Sequence, residues 1–156
     1  MNKREYIQVN KHWLEKKSLE EGVRALSGGI FYKVLAEGCD NGRHPAPRSI
    51  VTVHYTGWTV CAGELSSPSL SVAGKTADEL AGDALLRQFD SSRGGAPAAF
   101  RLDGLIDGWI VAIQEMCVGD KWEVYIPAEM GYGKVSQPGI PGGSVLVFEI
   151  ELLGIA

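Results

Sequence analysis

From the N-terminus, Tyr6, Ile7, Val9, Trp13 and Leu14 recur at roughly helical spacing among charged neighbours as far as Lys17. Asn2 to Glu5 has the form of a capping box, in which the first and last side chains satisfy each other's backbone N–H groups. The segment is therefore predicted to be an amphipathic helix that packs on the body of the protein or on another subunit. A second capping-box pattern, Ser18 to Glu21, predicts one further turn before Gly22. Gly28-Gly29 breaks the chain. "IFYKVLAEG" from Ile30 then reads as a strand, and "CDNGRHPAPRS" as a loop rich in Pro and Gly.

In "SIVTVHYTGW" the β-branched and aromatic residues predict a strand with Val51, Val53 and Tyr55 on one face. The stretch from Cys61 to Gln88 is small, polar and free of aromatics. Its one helical signal is the capping box Thr76 to Glu79, which predicts a small helix near Thr76 to Leu86. "FDSSRGGAPAAFRL" reads as strand, turn and strand. Leu105, Trp109, Ala112, Ile113 and Met116 share one helical face, so a short helix is predicted over 105–116, with Gly119 as a fitting C-cap. Beyond it Trp122, Val124 and Ile126 alternate with Lys121, Glu123 and Tyr125, and "AEMGYGKVSQPGIPGG" forms a long loop. In the last segment Leu146, Phe148, Ile150 and Leu152 face inward while Glu149 and Glu151 face water. The predicted fold class is α+β, an antiparallel sheet with one short helix against it. No internal repeat is visible.

Composition narrows the function. The 156 residues, 45% hydrophobic and 22% charged, suit one domain with something added, and 20 glycines suit a turn-rich β fold. A net charge of −4 argues against a nucleic-acid partner, which needs a concentrated basic surface. No stretch approaches the ~20 apolar residues of a membrane span. The first residues lack the apolar core of a secretory signal, so a cytoplasmic location is expected. Cys39, Cys61 and Cys117 form no CxxC pair and leave one over, which suits thiols in a reducing compartment.

Familiar catalytic chemistries are missing. His12, His44 and His54 lie far apart without a pairing motif, so neither a metal nor another cofactor is expected. Cys117 shows no histidine partner in sequence and reads as a packed thiol. "SRGGAP" lacks the ending of a phosphate loop, "DGLIDG" reads as turn and helix-entry chemistry, and no carboxylate pair is apparent. What stands out is a set of aromatics beside turn signals: Tyr55 before Thr-Gly, Phe89 before Asp-Ser-Ser, Trp109 after Asp-Gly, Tyr132 between glycines. Together they suggest an aromatic pocket where sheet and helix meet, rimmed by loops. Trp109 is either core or the floor of that pocket.

The motifs "VTVHYTGW", "FDSSRG", "LIDGWIVAIQEMCVGDKWEVYIPAEMGYG" and "PGIPGGSVLVFEIELLGI" resemble, in order and spacing, those of FKBP-type peptidyl-prolyl cis–trans isomerases. The likeness runs from about Ile30 to Ile155, interrupted only by an insert after Trp58. It implies residues 1–28 as an N-terminal helical extension and 29–156 as an isomerase domain, with an insert at about 61–88. It also implies an antiparallel sheet of about five strands wrapped around a short helix. The implied substrate site is Tyr55, Phe89, Asp90, Leu105, Ile106, Trp109, Tyr132, Ile140 and Phe148. Of these Asp90, Tyr132 and Tyr55 would act on the amide, and Trp109 would be the floor under the proline ring. The implied partners are proline-containing polypeptide clients, with tacrolimus- or rapamycin-type macrolides as further candidate ligands.

Some positions depart from the family pattern. Ala98 and Ala99 stand where some members have a further aromatic, and Gly95 where some have an arginine bracing the aspartate. Gln137 replaces a frequent histidine, and Gly142-Gly143 a common Pro pair. These bear on macrolide affinity and substrate preference. The insert, in place of a tight hairpin, is either a surface excursion or an added surface for clients or self-association. "EEGVRALSGGIFYKVL" resembles the lead-in of bacterial members with N-terminal dimerisation helices. It is too short here for such a domain, so a monomer is expected. A module that binds proline peptides as a chaperone with little turnover is the alternative, and a small-ligand-binding β protein a third reading.

Overall fold

The computed structural model describes residues 2–38, 42–61 and 84–156. Helix α1 spans Lys3–Ser18 and is followed by strands β1 (Val23–Ala25), β2 (Phe31–Ala36), β3 (Ile50–Cys61), β4 (Leu85–Ser91) and β5 (Ala98–Arg101). Helix α2 (Asp107–Ile113), β6 (Lys121–Ile126) and β7 (Leu146–Ile155) complete it. The strands form one antiparallel sheet in the order β1-β2-β6-β7-β3-β4, with β5 also paired to β3. Seven strands therefore stand where the resemblance implied about five. The three-residue β1 comes from the lead-in after α1, and the edge beside β3 is divided between β4 and β5.

The long pair at the centre, β3 with β7, runs from Val51 opposite Ile155 to Thr59 opposite Leu146. Alternation sends Val51 and Val53 of β3, Trp122, Val124 and Ile126 of β6, and Leu146, Phe148, Ile150 and Leu152 of β7 to one face. There they bury against Trp109, Ala112, Ile113 and Met116 of the α2 region. The regular helix is shorter than the predicted 105–116. Ile106 is its N-cap, with extended backbone, and Leu102–Gly104 forms a separate 3-10 turn. Gly108 lets this helix lie close to the sheet, since a Cβ there would sit 2.5 Å from Ile126 Cγ2. That close approach brings the next residue, Trp109, onto the sheet.

Helix α1 covers the opposite face of the sheet, so it packs on its own chain. Tyr6 and Val9 are buried there with Val60, Cys61, Tyr125, Val145 and Val147, none of which belongs to the α2-side core. Trp13 meets Tyr125 with ring centroids 6.0 Å apart. Tyr125, which alternation groups with Lys121 and Glu123, is thus an interior residue. Asn2 caps the helix as predicted, its Oδ1 accepting from Glu5 N (2.8 Å), while Glu5 Oε1 accepts from the Asn2 side-chain Nδ2 (2.7 Å) in place of the backbone N–H of a full capping box. The second capping-box pattern does not form. Ser18 turns back to donate to Glu15 O (2.6 Å) at the helix end, and the chain goes on into β1.

The helix expected near Thr76 to Leu86 falls mostly outside the described residues, but its last positions, Leu85 and Leu86, belong to strand β4. Cys61 and Cys117 are thiols, and Cys39 lies outside the described residues. The fold gives Cys117 the histidine neighbour that sequence did not show. Its Sγ is 3.7 Å from His44 Nδ1, which also lies 3.1 Å from Met116 O.

Candidate functional site

The Trp109 side chain is only 4% exposed and lies at the base of a pocket of about 410 Å³. The lining residues are Tyr55 from β3, Phe89 and Asp90 from β4, and Phe100 from β5. Gly104, Leu105, Ile106 and Trp109 come from the α2 region, with Tyr132 and Phe148 from the opposite side. Three rings meet the Trp109 indole nearly at right angles: Tyr55 at 5.2 Å, Phe148 at 5.2 Å and Phe100 at 6.0 Å between centroids. Perpendicular packing of this kind is a favoured aromatic arrangement and holds each ring in place. Phe89 packs in the same manner on Phe148, at 5.6 Å. Trp109 is therefore both a core residue and the pocket floor. The two sequence alternatives describe opposite sides of one side chain.

Local backbone features explain why these aromatics converge. Gly57 pairs with Asp90 and Trp58 with Gln88, which leaves Phe89 as the extra residue of a β-bulge. In an unbroken strand Phe89 and Asp90 would face opposite sides, whereas the bulge brings both to the pocket. Gly57 leaves the space that Phe89 and Phe148 need. A Cβ there would lie 2.6 Å from Phe148 Cε1 and 2.7 Å from Phe89 Cζ. At the N-cap of α2, Ile106 O accepts from Trp109 N (3.0 Å) and Ile110 N (3.2 Å), which fixes the corner carrying Leu105 and Ile106.

The polar part of the site is small. Tyr55 Oη donates to Asp90 Oδ2 at 2.6 Å, and Asp90 Oδ1 accepts from Ser91 N at 2.9 Å, so both carboxylate oxygens are held. Desolvation by burial, and then the Asp90 carboxylate, push the Tyr55 hydroxyl up to about 12 from its ordinary 10. It is therefore a neutral donor at physiological pH. Tyr132 follows the Ala128–Met130 turn and stands at the rim, 40% exposed. Behind the site, Arg93 pairs with Glu151 (3.2 Å) and Glu149 (3.5 Å) rather than with Asp90. Among the described residues no group of three His, Cys, Asp or Glu could hold a metal ion.

Eight of the nine residues named from the sequence meet at this pocket. The ninth, Ile140, is 6% exposed and packs in the core with Trp109 and Phe148 rather than at the pocket surface. Phe100 and Gly104 line the pocket and were not named. Phe100 faces inward because it lies opposite Val51 across the β3–β5 pair, a pairing that no local sequence pattern shows.

Residues 41–153 match the model of the FKBP-type peptidyl-prolyl cis-trans isomerase family. The chain is 35% identical to the FKBP-type isomerase FkpA of Escherichia coli, over 93% of its own length and 44% of the relative's. It is 38% identical to the FKBP-type 22 kDa isomerase of the same organism, over 92% of its own length and 58% of the relative's. It thus spans about half the length of the curated relatives it matches. The crystal structure of a peptidyl-prolyl cis-trans isomerase from Pseudomonas syringae superposes with a TM-score of 0.74 at 27% identity, covering 100% of this chain and 97% of that one. Among the described residues no helix is long and apolar enough to cross a membrane.

Proposed function

The chain belongs to the FKBP-type peptidyl-prolyl cis–trans isomerase family, and from that premise we propose that it catalyses rotation about Xaa–Pro bonds in polypeptide clients. The observation that carries this is the Trp109-floored pocket, whose walls are mostly aromatic and whose only charged lining residue among the described residues is Asp90. It suits a small apolar ring with a single polarisable amide beside it.

Amide resonance sets a rotational barrier of roughly 18–20 kcal/mol, because the planar forms share electrons between N and C=O that the twisted form cannot. No proton or covalent bond has to be transferred, so the site needs no nucleophile. It needs only to bind the twisted amide better than either planar form. Water favours the planar, charge-separated amide, and an aromatic pocket withholds that water. The proline ring rests on Trp109 between Tyr55, Phe89 and Phe148, while the preceding carbonyl turns towards the rim. There the Ile106 N–H and the Tyr132 hydroxyl donate to substrate carbonyls. Asp90 holds Tyr55 in place and acts on the carbonyl carbon as it loses conjugation. The same wall is the candidate seat for tacrolimus- or rapamycin-type macrolides.

The experiment for this assignment is a peptide isomerisation assay on the intact protein and on Tyr132→Phe. Removing the hydroxyl is expected to lower kcat/KM about two- to tenfold, the worth of one neutral hydrogen bond, with unfolding unaffected. An unchanged kcat/KM would remove Tyr132 from the list of donors.

A further inference from the structure

Helix α1 lies outside the family match, which begins at residue 41, yet it grips the loop that carries Tyr132 into β7. On the outgoing stem, Lys3 Nζ donates to Lys134 O (2.8 Å). On the returning stem, Ile7 packs so closely over Gly143 that a Cβ there would lie 2.4 Å from Ile7 Cγ1. Tyr6 Oη bridges Val60 O of β3 and Ser144 Oγ, at 2.8 Å each. Val145 N donates to Asn10 Oδ1 (2.8 Å), while Asn10 Nδ2 is fixed on Tyr6 O (2.8 Å).

Asn10 is 1% exposed and Tyr6 2%, so these polar groups stand in the apolar face of the helix. Burying an amide there costs free energy unless it is paired, and an aliphatic residue would serve simple adhesion as well. What the polar pairs add is position: they fix the loop's returning stem, Ser144 and Val145, against the helix. The two stems are in turn joined. Gly143 N donates to Gly133 O (2.8 Å), next to Tyr132, and a Cβ on Gly142 would lie 2.2 Å from Lys134 O. At the tip, a Cβ on Gly139 would meet Phe89 Cβ at 3.6 Å, so the loop also borders the pocket wall.

We propose that α1 braces this loop, with Tyr6 and Asn10 as positioning residues that set where Tyr132 stands over the pocket. This rests on the reading of the pocket as the prolyl site. The test is a double-mutant cycle in the full chain, at a temperature where all variants are folded. Tyr6→Phe keeps the buried ring and removes the bridge. It is expected to lower kcat/KM about two- to fivefold in the native background and to add nothing in the Tyr132→Phe background. The same factor in both backgrounds, or no effect in either, would overturn the brace. Amide exchange gives a readout that does not depend on turnover. Exchange at residues 133–145 is expected to quicken by about fivefold or more in Tyr6→Phe while the β3–β7 amides keep their rates. Unchanged exchange there would equally overturn it. If the native protein shows no turnover, the prolyl-site reading fails by itself and the exchange result decides the brace. Should Tyr6→Phe not fold, the half-buried Ile7→Ala removes the Gly143 contact and carries the same expectations.

Discussion

Trp109→Ala is expected to bring isomerase turnover down to the uncatalysed rate and to lower stability by about 3–5 kcal/mol, the usual cost of deleting a buried large aromatic. The two effects share one cause. The indole fills the space between α2 and the sheet, and three rings, Tyr55, Phe100 and Phe148, stand perpendicular to it. Without it they lose their common support and the proline ring loses its floor. A loss of this size is a large part of the 5–15 kcal/mol typical of a whole domain, so the variant has to be assayed in the cold with its unfolding curve measured in parallel. Trp109→Phe separates the two roles, because a smaller apolar ring keeps the floor closed and the chain folded. It is expected to retain partial turnover. A folded Trp109→Ala protein with native turnover would show that the substrate does not rest there.

Asp90→Ala is expected to act in the opposite proportion. The residue is exposed, so stability should change little, whereas kcat/KM should fall about ten- to a hundredfold, or ~1.4–2.7 kcal/mol of transition-state stabilisation. A second, independent signature is the titration of Tyr55. Burial is the larger cause of its rise to about 12 and the Asp90 carboxylate the next, so removing Asp90 should bring the hydroxyl part of the way back towards 10. The folded-state value lies above the unfolded one. The stability it contributes is therefore present below pH 10 and lost as the pH rises through about 12, and the variant should lose it at lower pH. Ultraviolet titration reads this directly. A Tyr55 titration unmoved by the substitution would contradict the 2.6 Å contact on which Asp90's role is built.

Much of this site was legible because its residues sit in contiguous motifs. Tyr55 with Gly57, Phe89 with Asp90, and Leu105 to Trp109 each belong to one local stretch, and the capping box of α1 and the alternation of β7 are local patterns too. What escaped depends on chain segments far apart in sequence. Tyr125 looks polar by alternation, since the helix that covers it lies more than a hundred residues earlier. Cys117 and His44, separated by 73 positions, meet only in the fold. Three residues of β1 and four of β5 are too few for a period to register, so β1 and the inward direction of Phe100 emerge only from pairing. Ile140, which its motif assigns to the wall, packs in the core with Trp109 and Phe148 from a loop closed by the Gln137–Ile140 bridge. The bulge that aims Phe89 is a matter of register, to which composition is blind.

The central claim is that this pocket speeds rotation about a prolyl bond, and the most direct measurement is the cis-to-trans relaxation of a short Xaa-Pro-Phe peptide followed with increasing amounts of folded protein. Uncatalysed, the process takes tens to hundreds of seconds. The account predicts a relaxation rate that rises linearly with protein concentration. A folded protein that leaves the rate at its uncatalysed value at every concentration would contradict it, and the pocket would then be a site that binds proline-containing chains without turning them over.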